Sequence, residues 1–197
     1  MKNRAVATTA ITLAAMLALT GCAGPTSGGG MPGMNHGSSS SAPASADAND
    51  ADIMFAGMMK EHHAQAIDMS DILLSKEGVD ERVVALAEEI KAAQAPEIQK
   101  MEQWLEEWGA DTSGMEGMEH GDGMMSDEDM QALEEASGAD AGRLFLQQMI
   151  QHHDGAVEMA QKQIDDGRNG DAIALAGAII DAQTREIARM EEILASL

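Results

Sequence analysis

The chain has 197 residues, a formal net charge of −22, one cysteine, 17 methionines, two tryptophans, two phenylalanines and no tyrosine. A surface this acidic repels nucleic acid and anionic lipid and attracts cations, although solubility alone would also account for it. A single cysteine excludes an intrachain disulfide, so a soft metal site would have to use methionine sulfur and histidine nitrogen.

Taken in chain order, residues 1–21 begin with Lys2 and Arg4, continue as an apolar run from Ala5 to Leu19 and end in small residues. This is the pattern of a secretory signal peptide, too short and wrongly flanked for a permanent membrane span. The run Leu19-Thr20-Gly21-Cys22 resembles the lipobox of bacterial lipoproteins, and the resemblance implies cleavage before Cys22 and lipidation of its sulfur. The protein is then expected to be exported, anchored to a membrane through Cys22 and facing the periplasm or cell exterior. Residues 22–49 are rich in Gly, Ser, Ala and Pro and read as a flexible tether, because such a composition cannot bury enough apolar area to offset chain entropy.

Residues 50–197 carry helical periodicity with almost no strand signal, and they repeat. "FAGMMKEHHAQAIDMS" from Phe55 and "FLQQMIQHHDGAVEMA" from Phe145 match at an offset of 90, pairing Met59 with Met149, His62 with His152, His63 with His153, and Met69 with Met159. Further on, Gln94, Glu97 and Met101 recur as Gln183, Glu186 and Met190 at an offset of 89. Each half is predicted to be a helical hairpin, with helices over about 50–74, 80–108, 140–164 and 171–195. The stretch 109–125 reads as a Met-, His- and Gly-rich linker, and Ser126 with Asp129 resembles a capping box that starts a short helix to about Ala136. Pro96, well inside the second helix, is expected to kink or break it. Two hairpins with short turns make an all-α, antiparallel four-helix bundle.

On a wheel of about 100° per residue, Phe55, Met59, His62, Ala66 and Met69 share one stripe of the first helix, with His63 on its edge. Phe145, Met149, His152, Ala156 and Met159 do the same in the second half, with His153 on the edge. One histidine of each pair should therefore face the core and the other the seam. On the second helix, Leu86, Ile90, Ala93, Met101 and Trp104 place Glu97 mid-stripe with Gln94 on the flank; Glu186 and Gln183 repeat this on the last helix. A carboxylate facing a core is costly unless paired, and the available partners are the four histidines.

A di-iron carboxylate bundle needs Glu-x-x-His on two helices, whereas here Met59-x-x-His62 and Met149-x-x-His152 put thioether in that place. Thioether suits Cu(I) or Ag(I) rather than oxygen-activating iron. Methionines at helical spacing also serve as core filler, and His–Glu pairs can simply hold two hairpins in register. The linker segments weigh the other way. Met31, Met34 and His36, and again Met115, Met118 and His120, stand in the same seven-position pattern, in stretches with no core to fill.

The two His-His segments, together with "AQAPEIQKMEQWL" and "AQTREIARMEEIL", resemble the domain-of-unknown-function 305 family over about residues 50–197. The resemblance implies a ferritin-like four-helix bundle, usually exported, with some members linked to copper. It carries over His62, His63, His152, His153, Met59, Met69, Met149 and Met159 as the family's His/Met positions.

The expectation is an extracytoplasmic copper-binding lipoprotein that sequesters or hands on Cu(I), and Ag(I) by the same chemistry, without catalytic turnover. His62 and His152 lead as ligands, with Met59, Met69, Met149 and Met159 as soft ligands, and the Met31/Met34/His36 and Met115/Met118/His120 segments capture the ion first. Glu97 and Glu186 orient imidazoles, Gln94, Gln183, Met101 and Met190 lie behind them, and a copper-handling partner protein is left open. Two rivals stand beside it: a ferritin-like metal-dependent oxidase, and a structural or interaction bundle without metal.

Overall fold

The computed structural model describes residues 48–110 and 123–197. Cys22, Met31, Met34, His36, Met115, Met118 and His120 lie outside these residues. Among the described residues five helices follow in order: α1 (Asp50–Leu74), α2 (Glu81–Trp108), α3 (Asp127–Glu135), α4 (Gly138–Asp166) and α5 (Gly170–Ser196).

Local chemistry explains most boundaries. Asn49 and Asp52 form a capping box at the start of α1, and Ser126 and Asp129 form another for α3. Asp80 and Asn169 cap α2 and α5 through their side-chain oxygens. Gly109 ends α2 in the left-handed conformation at φ 62°. Pro96 does not break α2, which runs through it to Trp108. Pro96 and Ala92 both lie on the exposed face, where water can satisfy the Ala92 carbonyl that proline leaves without an amide partner.

The hairpins α1–α2 and α4–α5 are joined mainly along an antiparallel α1–α4 seam. Asp52, fully buried near the start of α1, ties the seam's end. Its carboxylate accepts from Gln163 Nε2 and from the backbone amides of Asn49, Arg168 and Asn169.

At the other end of the seam, α3 lies across α1 and α4. Gln65 of α1 exchanges two 2.8 Å hydrogen bonds with the Met125 backbone, donating to its carbonyl and accepting from its amide. Gln148 of α4 donates to the Asp129 carbonyl. Gly123 takes φ +99°, and a Cβ there would come within 2.8 Å of the Gly155 backbone. Met125 is therefore a core residue, not an exposed linker thioether: it is 6% exposed and packs with Leu133 and Phe145. Gln65→Ala is expected to cost about 1–2 kcal/mol, from two lost hydrogen bonds and an unpaired Met125 amide, read as a lower midpoint in urea unfolding. An unchanged midpoint would show that α3 is held by its apolar contacts alone.

The core is not continuous. One apolar cluster contains Met69, Leu73, Leu86, Ile90, Phe145, Met149 and Met190. The other contains Phe55, Met59, Met101, Trp104, Ala156, Ala176 and Ile179. On every long helix the chain passes from one cluster to the other through polar residues: His62-His63, Gln94 with Glu97, His152-His153, and Gln183 with Glu186. A polar layer thus divides the bundle across its middle.

Candidate metal-binding layer

Both members of each histidine pair are buried, with His62 at 1% exposure and His63, His152 and His153 at 0%. The expected seam position of His63 and His153 is therefore corrected to the interior: each hairpin's second helix, α2 or α5, closes over the edge of the stripe that carries them. The rings of His62 and His152 meet across the α1–α4 seam with centroids 3.6 Å apart and planes tilted by 39°. The rings of His152 and His153 are 6.3 Å apart.

Each carboxylate pairs with the second histidine of its own hairpin. His63 Nε2 lies 2.7 Å from Glu97 Oε2, and His153 Nε2 lies 2.7 Å from Glu186 Oε2. A carboxylate only accepts, so Nε2 carries the proton, and in the neutral ring Nδ1 keeps a free lone pair. This is the outer-shell arrangement that orients metal-bound imidazoles.

The wheel's placement of the carboxylates is corrected. Glu97 and Glu186 sit at the edge of the layer, with side chains 25% and 22% exposed. Gln94 and Gln183, expected on the flank, are buried at 3% exposure each, while Ala93 is exposed. Val83, Ala87 and Leu105 are also buried. Counting them rotates the centre of the buried face by roughly 40° towards Gln94.

Burial leaves an unusual set of groups without a protein partner: both ring nitrogens of His62 and of His152, Nδ1 of His63 and of His153, both side-chain polar atoms of Gln94, and Oε1 of Gln183. Buried polar atoms are normally satisfied, and a concentration of exceptions in one layer requires a cause. Burial, reinforced by the neighbouring His63 and His153, lowers the His62 pKa from an ordinary 6.5 to about 3. Burial and the adjoining His62 push His152 the same way. Both rings are neutral at pH 7 and available as nitrogen donors.

Thioethers flank the layer unevenly. Met59 and Met149 each stand one turn before a histidine pair, and Met101 and Met190 one turn beyond Glu97 and Glu186; all four are fully buried. Met69 and Met159 are not brought to the layer. Each is seven residues, roughly 10 Å of helix rise, from His62 or His152. Met69 is buried in the Leu73–Phe145 cluster, and Met159 is half-buried at the surface. Among the described residues no three His, Cys, Asp or Glu side chains converge on a single point. The layer offers imidazole pairs with thioethers nearby.

The profile of a domain of unknown function, DUF305, matches residues 52–194, spanning both hairpins and the whole layer. The chain belongs to the DUF305 family. It resembles a candidate secreted DUF305 protein from Streptomyces coelicolor at 33% identity, over 74% of this chain and 93% of that one, with a TM-score of 0.68. A DUF305 fragment from Deinococcus radiodurans is 31% identical, over 76% of this chain and 99% of that one, with a TM-score of 0.66. CopM in its Cu(I)-bound form is 31% identical, over 74% of this chain and 96% of that one, with a TM-score of 0.60. CopM has also been solved in Cu(II)-bound and silver-bound forms. No functionally curated protein matches this DUF305 chain.

Proposed function

We propose that this DUF305 protein binds monovalent copper in its imidazole layer and sequesters it or passes it on, without catalytic turnover. The observation that carries the reading is the set of unpartnered, buried imidazole nitrogens on His62, His63, His152 and His153. A cation would satisfy the lone-pair nitrogen of each ring it binds, Nδ1 of His63 and His153 and one nitrogen each of His62 and His152, and so relieve part of the desolvation they impose. The similarity to CopM, solved with Cu(I), Cu(II) and silver, supports copper as the ion. Glu97 and Glu186 would orient His63 and His153, and Met59, Met101, Met149 and Met190 would add soft donors beside the rings.

Competitive titration against a Cu(I) chelator, with elemental analysis, tests the reading. Cu(I) should bind at least about a hundredfold more tightly than Zn(II), because zinc sites are built from His, Cys and carboxylate rather than thioether. Equal affinity for the two ions would overturn a soft site.

We further propose export and a membrane anchor at Cys22, supported by the Leu19-Thr20-Gly21-Cys22 run and by the resemblance to a candidate secreted relative. Cys22→Ser should leave unprocessed precursor or release the protein from membranes; a processed, membrane-bound variant would remove the lipobox reading.

A further inference from the structure

The two halves of the bundle repeat each other, yet among the described residues only one half of the α1–α4 seam is covered. Gln148 bonds α3 and Gln65 bonds Met125 just before it, while Met69 and Leu144 belong to the same apolar cluster as Leu133 of α3. At the offset of 90 the counterparts of Gln65, Met69, Leu144 and Gln148 are Gly155, Met159, Met54 and Met58. Those four residues line an open groove of about 500 Å³ at the other end of the seam. The groove is the repeat-related counterpart of the seat of α3, and no helix of the described residues lies in it.

Its lining is not what the repeat would require. Where the covered half has Leu144 and Gln148, the open half has Met54 and Met58, and Met159 faces them from α4. Met54 is 41% exposed and Met58 is half-buried, and neither belongs to an apolar cluster, so packing does not explain these two thioethers; Met159 is half-buried, packs in part against the Phe55–Met101 cluster and shares the groove with them. Asp50 and Glu158 also line the groove and favour a cation, against one lysine, Lys162. Along α1, Met54, Met58 and His62 stand at i, i+4 and i+8, on one face and about 6 Å apart in rise. Exposure falls along them from 41% at Met54 to 1% at His62.

We propose that Met54, Met58 and Met159 form a second soft-cation site, which takes up Cu(I) or Ag(I) from solution and feeds it to the imidazole layer. The feeding role rests on the copper reading above; binding in the groove does not. The covered half has no matching port, because α3 and Met125 occupy it.

Full-length protein labelled with ¹³C at the methionine methyls is titrated with silver(I), a redox-inert probe, in wild type and in a His62→Leu/His152→Leu variant. The Met54, Met58 and Met159 methyl signals should shift in both proteins. Silence of all three in wild type at excess silver would overturn the groove site. Transfer from a weak chelator should be at least about tenfold slower in a Met54→Leu/Met58→Leu/Met159→Leu variant, with the His62 and His152 ring signals reaching the same end point. An unchanged rate would overturn the port. Immobile histidine signals in wild type, alongside shifting groove methyls, would instead overturn the imidazole layer as the ion's destination and leave the groove site standing.

Discussion

In the metal-free protein, replacing His62 and His152 together by leucine is expected to raise stability by about 2–4 kcal/mol. The usual expectation for a buried polar residue in a bundle is the reverse, and simple truncation to alanine would add cavities that obscure the sign. Here both nitrogens of each ring lack a protein partner, so each imidazole carries a desolvation penalty of about 1–3 kcal/mol with no compensating bond. Leucine of similar volume removes the penalty and continues the apolar clusters that meet the layer on either side. Neither Glu97 nor Glu186 loses its partner, because they bond His63 and His153. The same variant should lose Cu(I) from the layer. Urea unfolding with and without one equivalent of Cu(I) separates the effects: wild type gains stability on loading and the variant does not. A destabilised metal-free variant would mean that His62 and His152 are structural, and would favour a bundle whose polar layer only fixes the register of the hairpins.

Acid should destabilise the metal-free protein well above the pH at which carboxylates titrate. The His62 pKa falls from 6.5 to about 3 on folding, and His152 moves in the same direction. Between those values the unfolded chain binds a proton that the folded chain refuses. Stability is therefore full above about pH 6.5 and falls as pH drops towards 3. For His62 alone the loss from about pH 7 to about pH 5 is about 2 kcal/mol, and His152 adds to it with the same sign. The groups around these rings are His63, His153 and, at the edge of the layer, Glu97 and Glu186. Unfolding free energies at pH 7, 6 and 5 should show the slope in wild type, and the His62→Leu/His152→Leu variant should lose most of it. A variant with the wild-type slope would place the responsible protons elsewhere. Bound Cu(I) holds the rings unprotonated and should shift the acid transition to lower pH.

Both effects arise from His62 and His152, whose inward direction is legible in the sequence alone. The repeat at offsets of 90 and 89 defines two hairpins, the apolar periodicity sets their length, and the capping pattern at Ser126 locates the short helix. Helix existence and the facing of His62 and His152 follow from local periodicity, which a sequence contains in full. The methionine that stands in place of glutamate before each histidine pair is legible on the same terms, and in the function proposed above it would favour a soft ion.

What only the tertiary structure decided depends on residues distant in the chain. The wheel could not say which imidazole meets which carboxylate, because that is set by how the helices of each hairpin cross; Glu97 and Glu186 choose His63 and His153 over the inner rings. The 3.6 Å approach of His62 to His152 joins two halves 90 positions apart. Asp52, an acid in the first turn of α1, is fully buried and holds the α4–α5 turn through Gln163 and two backbone amides. Met69 and Met159 are equivalent by repeat and unlike by environment, since α3 covers one end of the seam and leaves the other open. Periodicity fixes which face of a helix is apolar; what that face meets depends on long-range packing, which no local pattern encodes.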